Sequence, residues 1–199
     1  MADVLLGLGE EERAIAMLRA NNPCGVNDEA IGCILAGMAG RREEAMSLLS
    51  MALLRHISGL IQIVGKFGDI YEDRGRLDQA DEVLAWLYPF LRGLERPDQV
   101  SYLTKYRAAA LGCRAQIAWR SGRKTDAEAF LREALALADR FDAAPNYRAD
   151  ALRWYEGPDT AMAYDSMGAT ARAAVRQVFT QQGEDPEAGA FLTAFESEN

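Results

Sequence analysis

Along the whole chain, apolar residues recur at three- and four-residue spacings, and no segment alternates convincingly with period two, so the pattern predicts helices and no sheet. Helix pairs are expected at 27–39 with 42–54 and at 58–74 with 77–91, closed by a loop at 93–97. Pro97 suits a helix start, and the apolar run from Val100 to Ala118 predicts a long helix ending at Ser121-Gly122, with a partner over 124–141. A short helix is expected at 146–155, between Pro145 and the Gly157-Pro158 break. A last, Ala-rich hairpin is expected at 160–180 and 186–195. Only eight residues precede Gly9, which predicts a half-repeat whose Leu5, Leu6 and Leu8 need cover.

The helices carry a repeated signature. Gly-x4-Ala-x3-Leu occurs at Gly9, Ala14, Leu18; at Gly40, Ala45, Leu49; at Gly75, Ala80, Leu84; at Gly122, Ala127, Leu131; and at Gly183, Ala188, Leu192. Residue frequencies alone predict about 0.3 matches in a chain of this size, so five require a cause. The spacing fits a helical hairpin: Gly takes the left-handed conformation that ends one helix, and polar residues open the next. A small Ala then admits a neighbouring helix, and Leu one turn on fills the groove.

This signature resembles the tetratricopeptide repeat family, whose helix pairs of about 34 residues carry Gly at the turn, Ala in the second helix and a large apolar residue one turn later. Between Asp28 and Arg140 the likeness is strongest, with Gly68 and Tyr71 before Gly75, Ala134 after Gly122 and Ala52 after Gly40 at family positions. The Gly-to-Gly separations of 31, 35, 47 and 61 depart from family spacing, and the family's first-helix Trp is absent. The resemblance implies an all-α, TPR-like solenoid of about 9–11 helices, irregular at both ends. It is read as one domain: a half-repeat cap at 1–26, a repeat core at 27–141 and variant helices at 142–199. The family register implies an inner face holding Asn27, Ile34, Gln62, Asp69, Glu72, Asp73, Gln116, Trp119 and Arg120, acidic at one end and aromatic-basic at the other. At positions where some members grip a carboxylate tail, only Lys66 is basic, which argues against that use.

Composition narrows the function. With 49% apolar and 26% charged residues the chain is neither disordered nor built of membrane spans, and no apolar run reaches bilayer length. Met1–Leu8 lacks the features of a secretory signal, so a cytoplasmic location is expected. The net charge of −8 is carried mainly by the first hundred residues, where 16 acids face 10 bases, and no basic stripe invites nucleic acid or anionic membrane. Cys24, Cys33 and Cys113 lack C-x-x-C spacing and are expected to be small buried residues. His56 is the only histidine, which removes most metal and His-dependent nucleophile systems. Asp69, Glu72, Asp73 and Asp78 are read as a solvated acidic face, lacking the D-x-D-x-D-G pattern of an oxygen-ligand loop. Gly65-Lys66-Phe67-Gly68 lies within a helical pattern and is no phosphate loop.

Two functions follow as expectations. The first is a non-catalytic scaffold or adaptor that binds another protein or peptide, basic ones among the candidates, in the inner groove, without cofactor, and that self-associates through its N-terminal half-repeat. The alternative is a regulatory domain that senses a small ligand or signal peptide in a pocket of the aromatic C-terminal half.

Overall fold

A computed structural model of the chain describes residues 2–20, 25–97, 99–144, 151–157, 170–181 and 184–198. These residues form helices and no strand: α1 (Ala2–Gly7), α2 (Glu11–Arg19), α3 (Gly25–Gly37), α4 (Arg42–Asp73), α5 (Leu77–Leu94), α6 (Tyr102–Arg120), α7 (Lys124–Asp142), α8 (Ala171–Phe179) and α9 (Pro186–Glu198). The protein is all-α. It divides into two compact units, Met1–Ile61 with Trp154–Thr160, and Gln62–Arg153 with Ala161–Asn199.

The repeated signature has a recurring local structure. Gly9, Gly40, Gly75 and Gly122 all take left-handed φ, between 67° and 77°, while Gly183 lies outside the described residues. At Gly75 its N–H donates to the Glu72 carbonyl and that of Arg76 to the Tyr71 carbonyl, both at 2.8 Å. The same two-bond closure recurs at Gly9 and Gly122, and satisfies carbonyls that a helix end leaves open. The Ala of each copy is 0–1% exposed. Its Leu is buried at Leu84, Leu131 and Leu192 and half-buried at Leu18 and Leu49.

Because no side chain or backbone atom would meet a Cβ at Gly122, only its φ of +73° resists substitution. Gly122→Ala is therefore expected to cost about 1–2 kcal/mol in urea denaturation. Gly93→Ala, inside α5 at ordinary φ and also in open space, should instead stabilise by about 0.5–1 kcal/mol. Equal shifts would show that the turn conformation is not what Gly122 supplies.

In the first unit, Ile15, Ile31, Leu35 and Ala45 form one buried cluster, with Leu18, Ile34, Met38 and Leu48 against it, and Ala52, Leu54 and Ile57 are buried as well. Gly32 is required there, because a Cβ would lie 2.8 Å from Leu49. Tyr155 is 2% exposed in this unit, and Ser50 Oγ accepts from the Glu156 N–H at 3.0 Å.

In the second unit α6 packs against α5, α7 and α8, which explains why it is buried nearly all round instead of amphipathic. Gly112 lets α8 approach, with Val175 atoms 3.5–3.6 Å from its Cβ position. The largest cluster joins Leu111, Leu131, Leu135, Phe141, Val175, Phe179 and Leu192.

Several boundaries differ from the sequence expectations. The pairs 42–54 and 58–74 are one continuous helix, α4, of 32 residues. Gly59 keeps an ordinary helical φ and no Pro interrupts, so the break costs only about 1 kcal/mol of propensity. Joining them produces one window long and apolar enough, at mean hydropathy 1.5 and 28% buried, to cross a membrane by length and composition, where none was expected. That helix also carries Arg55 and His56, paired with Asp28 and Glu29 of α3. Helix α6 starts at a capping box, Ser101 with Thr104, rather than near Pro97. Of the helix expected at 146–155, residues 146–150 lie outside the described residues, and Leu152 instead pairs with Glu95 in an isolated antiparallel bridge.

Candidate functional site

The nine residues assigned to an inner face are distributed differently from that register. Asn27 and Ile34 belong to the first unit, where Ile34 packs on the core; the other seven belong to the second. Glu72 and Arg120 are brought together, Oε2 to Nη1 at 2.8 Å, and Asp69 pairs with Lys66 at 2.6 Å. Burial is the largest influence on Glu72 and, with Asp69 and Asp73 nearby, raises its pKa above the usual carboxylate value despite Arg120. Asp73 and Gln62 are exposed.

Two assignments to a solvent-facing groove need correction. Gln116 is 3% exposed, because α6 is enclosed by its neighbours. Trp119 is half-buried and tilts onto Phe191 and Phe179, with centroids 4.7 and 6.3 Å away, so its ring serves the core of the second unit. Trp86, Phe90 and Trp154 are exposed, and Trp86 stacks on Phe90 at 5.4 Å. Cys33 is exposed rather than buried. Burial, with the Glu72 and Asp69 carboxylates, pushes the Cys113 thiol up to about 12. Cys24 and Tyr147 lie outside the described residues.

A different constellation forms where α5 ends and α6 begins. Glu95, the residue after α5, is 5% exposed. Its Oε1 accepts from the hydroxyls of Ser101 at 2.7 Å and Thr104 at 2.6 Å, and its Oε2 from Arg107 Nη1. Arg107 Nη2 donates to the Tyr88 hydroxyl at 3.1 Å, and Tyr88 in turn donates to Glu133. Burial opposes the charged form of Arg107, but the bonds to Tyr88 and Glu95 outweigh it and hold its pKa above the ordinary arginine value. The capping hydroxyls of α6 thus complete the shell of a buried carboxylate, which fixes one guanidinium in place.

This network floors a cavity of about 410 Å³ lined by Tyr88, Arg92, Glu95, Arg96, Pro97, Gln99, Arg107, Glu133, Arg140 and Arg153. All belong to the second unit. Arg153 reaches it because the backbone of 151–153 pairs with 94–96: Arg96 N–H donates to Ala151 and Arg153 N–H to Leu94, each at 2.8 Å. Three arginines point N–H groups at carbonyls: Arg96 at Leu152, Arg140 at Gln99 and Arg153 at Glu95, at 3.1, 3.3 and 3.0 Å. For Arg140 and Arg153 that carbonyl accepts a hydrogen bond but cancels no charge. Among the described residues the exposed Arg92 guanidinium makes neither an ion pair nor a hydrogen bond. Arg107 Nε is buried without an acceptor. Among the described residues, five arginines and two glutamates line the cavity, and both glutamates are engaged.

A second, shallower concavity of about 370 Å³ lies on α4, where Ile63, Phe67 and Ile70 are exposed beside Gln62 and Lys66. Among the described residues no group of three or more His, Cys, Asp and Glu side chains is placed to hold a metal ion.

None of the five pocket arginines was singled out from sequence. The available signal was modest: Ser101-x-x-Thr104 before an apolar run marks a helix start, and Arg92, Glu95 and Arg96 crowd the end of the preceding helix. Set against models of protein families, curated proteins and solved structures, the chain matches none of them.

Proposed function

We propose that this chain is a non-catalytic, tetratricopeptide-like binding module that captures an anionic group of its ligand in the arginine-lined cavity. The observation that carries this reading is the gathering of five arginines, beside two engaged glutamates, among the described residues that line that cavity, in a chain of net charge −8. Guanidinium forks match the paired oxygens of carboxylates and phosphates, and their charge-assisted bonds are about twice as strong as neutral ones. The cavity lies in the range of small-ligand pockets, about 300–1,000 Å³. Recurrence of one glycine turn at four copies supports the repeat part of the reading. A thiol raised to about 12 at Cys113 and an exposed His56 held by Glu29 favour binding over catalysis.

A second reading, a scaffold that binds a polypeptide along α4, is favoured by the exposed Ile63, Phe67 and Ile70. Thermal shift of the full chain at fixed ionic strength separates the two. Citrate, phosphate and acidic peptides should raise Tm, by up to about 2.7 kcal/mol of stabilisation at a hundred times Kd, while basic and neutral peptides should not. Stabilisation by basic peptides alone would replace the cavity with the Asp69–Glu72 surface. A flat response to every class would remove the anion-binding reading.

A further inference from the structure

We propose that the exposed stripe Ile63, Phe67 and Ile70 of α4 is a self-association surface, pairing antiparallel with the same stripe of a second copy about a two-fold axis near Phe67; this rests on the second reading above, that α4 binds a polypeptide, and not on the arginine-lined cavity. The apolar window of α4, at mean hydropathy 1.5, is only 28% buried. In the second half of that helix Ile63, Phe67 and Ile70 are 58%, 52% and 43% exposed. At 3.6 residues per turn the three lie within about 60° of one another, so they form one narrow stripe and not scattered surface residues. Val64, on the neighbouring side of the helix, is 7% exposed. One side of α4 thus serves the core, and this one meets water.

What covers the stripe follows from the charges beside it. Lys66 and Arg74 are exposed there with Asp69 and Asp73, two bases against two acids, so the face is neutral although the chain carries −8. Glu72, the other charge of the segment, is held by Arg120. Lys66 Nζ donates to Asp69 at 2.6 Å, and that bond, with the nearby Asp73 charge, holds its pKa above the ordinary lysine value. Hydrocarbon tails would leave these ions without water, and a basic peptide would meet two bases as well as two acids. A second copy meets a matched surface. In an antiparallel pair each flank faces the same flank in reverse order. With the axis near Phe67, Ile63 lies opposite Ile70 of the second copy and Phe67 opposite its equivalent. Lys66 then lies opposite Asp69 of the second copy, within about 1.5 Å along the axis, and Asp69 opposite Lys66. Each pair occurs twice, as an isologous two-fold interface requires, and such charges set register more than affinity. Ile63 and Phe67 form one i,i+4 ridge and Lys66 and Ile70 another, and the concavity of about 370 Å³ over them receives the opposing ridge.

Sedimentation equilibrium of the full chain at constant ionic strength tests this. The mean mass should rise from one chain toward two over concentrations on the order of 10 to 100 µM, as an interface below standard size implies. Phe67→Asp should raise the dissociation constant at least about thirtyfold, with an unchanged far-ultraviolet circular dichroism spectrum. Two charge variants test the pairing at exposed positions. Lys66→Glu leaves that flank acids and no base, and Asp69→Lys with Asp73→Lys leaves it bases and no acid. Each alone should dimerise at least about tenfold more weakly, and an equimolar mixture should restore a dimer containing one chain of each kind. A chain that is monomeric at every concentration overturns self-association; if basic peptides still raise its Tm, the second reading stands without it, and if they do not, both fall. Dimers unaffected by Phe67→Asp place the interface elsewhere and overturn the proposal. Dimers lost in the charge variants and not restored by mixing overturn the antiparallel pairing.

Discussion

Replacing Arg107 with methionine is expected to destabilise the protein by about 3–5 kcal/mol, although the new side chain fills similar space and is fully apolar. The cost falls on the partner. Glu95 is 5% exposed, and besides Arg107 its only described donors are the neutral hydroxyls of Ser101 and Thr104. Removing the guanidinium leaves a buried charge whose remaining bonds supply no opposite charge. For a chain of this length the loss lowers Tm on the order of 10 °C. In the double variant Glu95→Gln with Arg107→Met, the amide keeps an oxygen for the two hydroxyls and carries no charge, so most of the loss should return. A double-mutant cycle in urea measures the coupling directly. Equal stability of the single and double variants would show that Glu95 does not depend on Arg107, and the account of a carboxylate-anchored pocket floor would fail.

How much of this was legible in the sequence follows from the range of the interactions involved. The hairpin turn is local: Gly, Ala and Leu act within ten residues, so Gly75, Ala80 and Leu84 announce the left-handed turn, the buried small residue and the packed apolar one without knowledge of the rest. Helix α4 was misread for a related reason. Ser58-Gly59 resembles a stop, but a stop needs Gly in the left-handed region, and Gly59 stays helical. The inner-face register failed at Gln116 and Trp119, because what covers them depends on α8 and α9, which are distant in sequence and outside the regular spacing. Least legible was the cavity. Its arginines run from Arg92 to Arg153, and what makes them a site is the bridge of 151–153 to 94–96 and the burial of one glutamate, neither of which has a periodic signature.

Repeat equivalence itself makes a prediction of comparable size. Leu18 and Leu131 occupy the same place in the signature, yet Leu131 is 0% exposed, among Leu111, Leu135, Val175, Phe179 and Leu192, whereas Leu18 sits half-buried beside the cluster of Ile15, Ile31, Leu35 and Ala45. A Leu→Ala change costs the transfer of the lost methyl groups plus the cavity left behind, and the second part grows where neighbours are too constrained to collapse. Leu131→Ala is therefore expected to cost about 4 kcal/mol, in the upper part of the usual range of 2–5. Leu18→Ala should cost about 1–2, since much of its surface already meets water. Urea denaturation followed by near-ultraviolet circular dichroism reports Leu131 well, because Trp119 packs on Phe179 and Phe191 of the same cluster. Should both variants lose the same stability, position in the repeat would set the energetics and the difference in burial would be without consequence. The larger loss at Leu131 would mean instead that a shared sequence pattern specifies the turn in every copy, while the number of helices gathered around each copy decides what its leucine contributes.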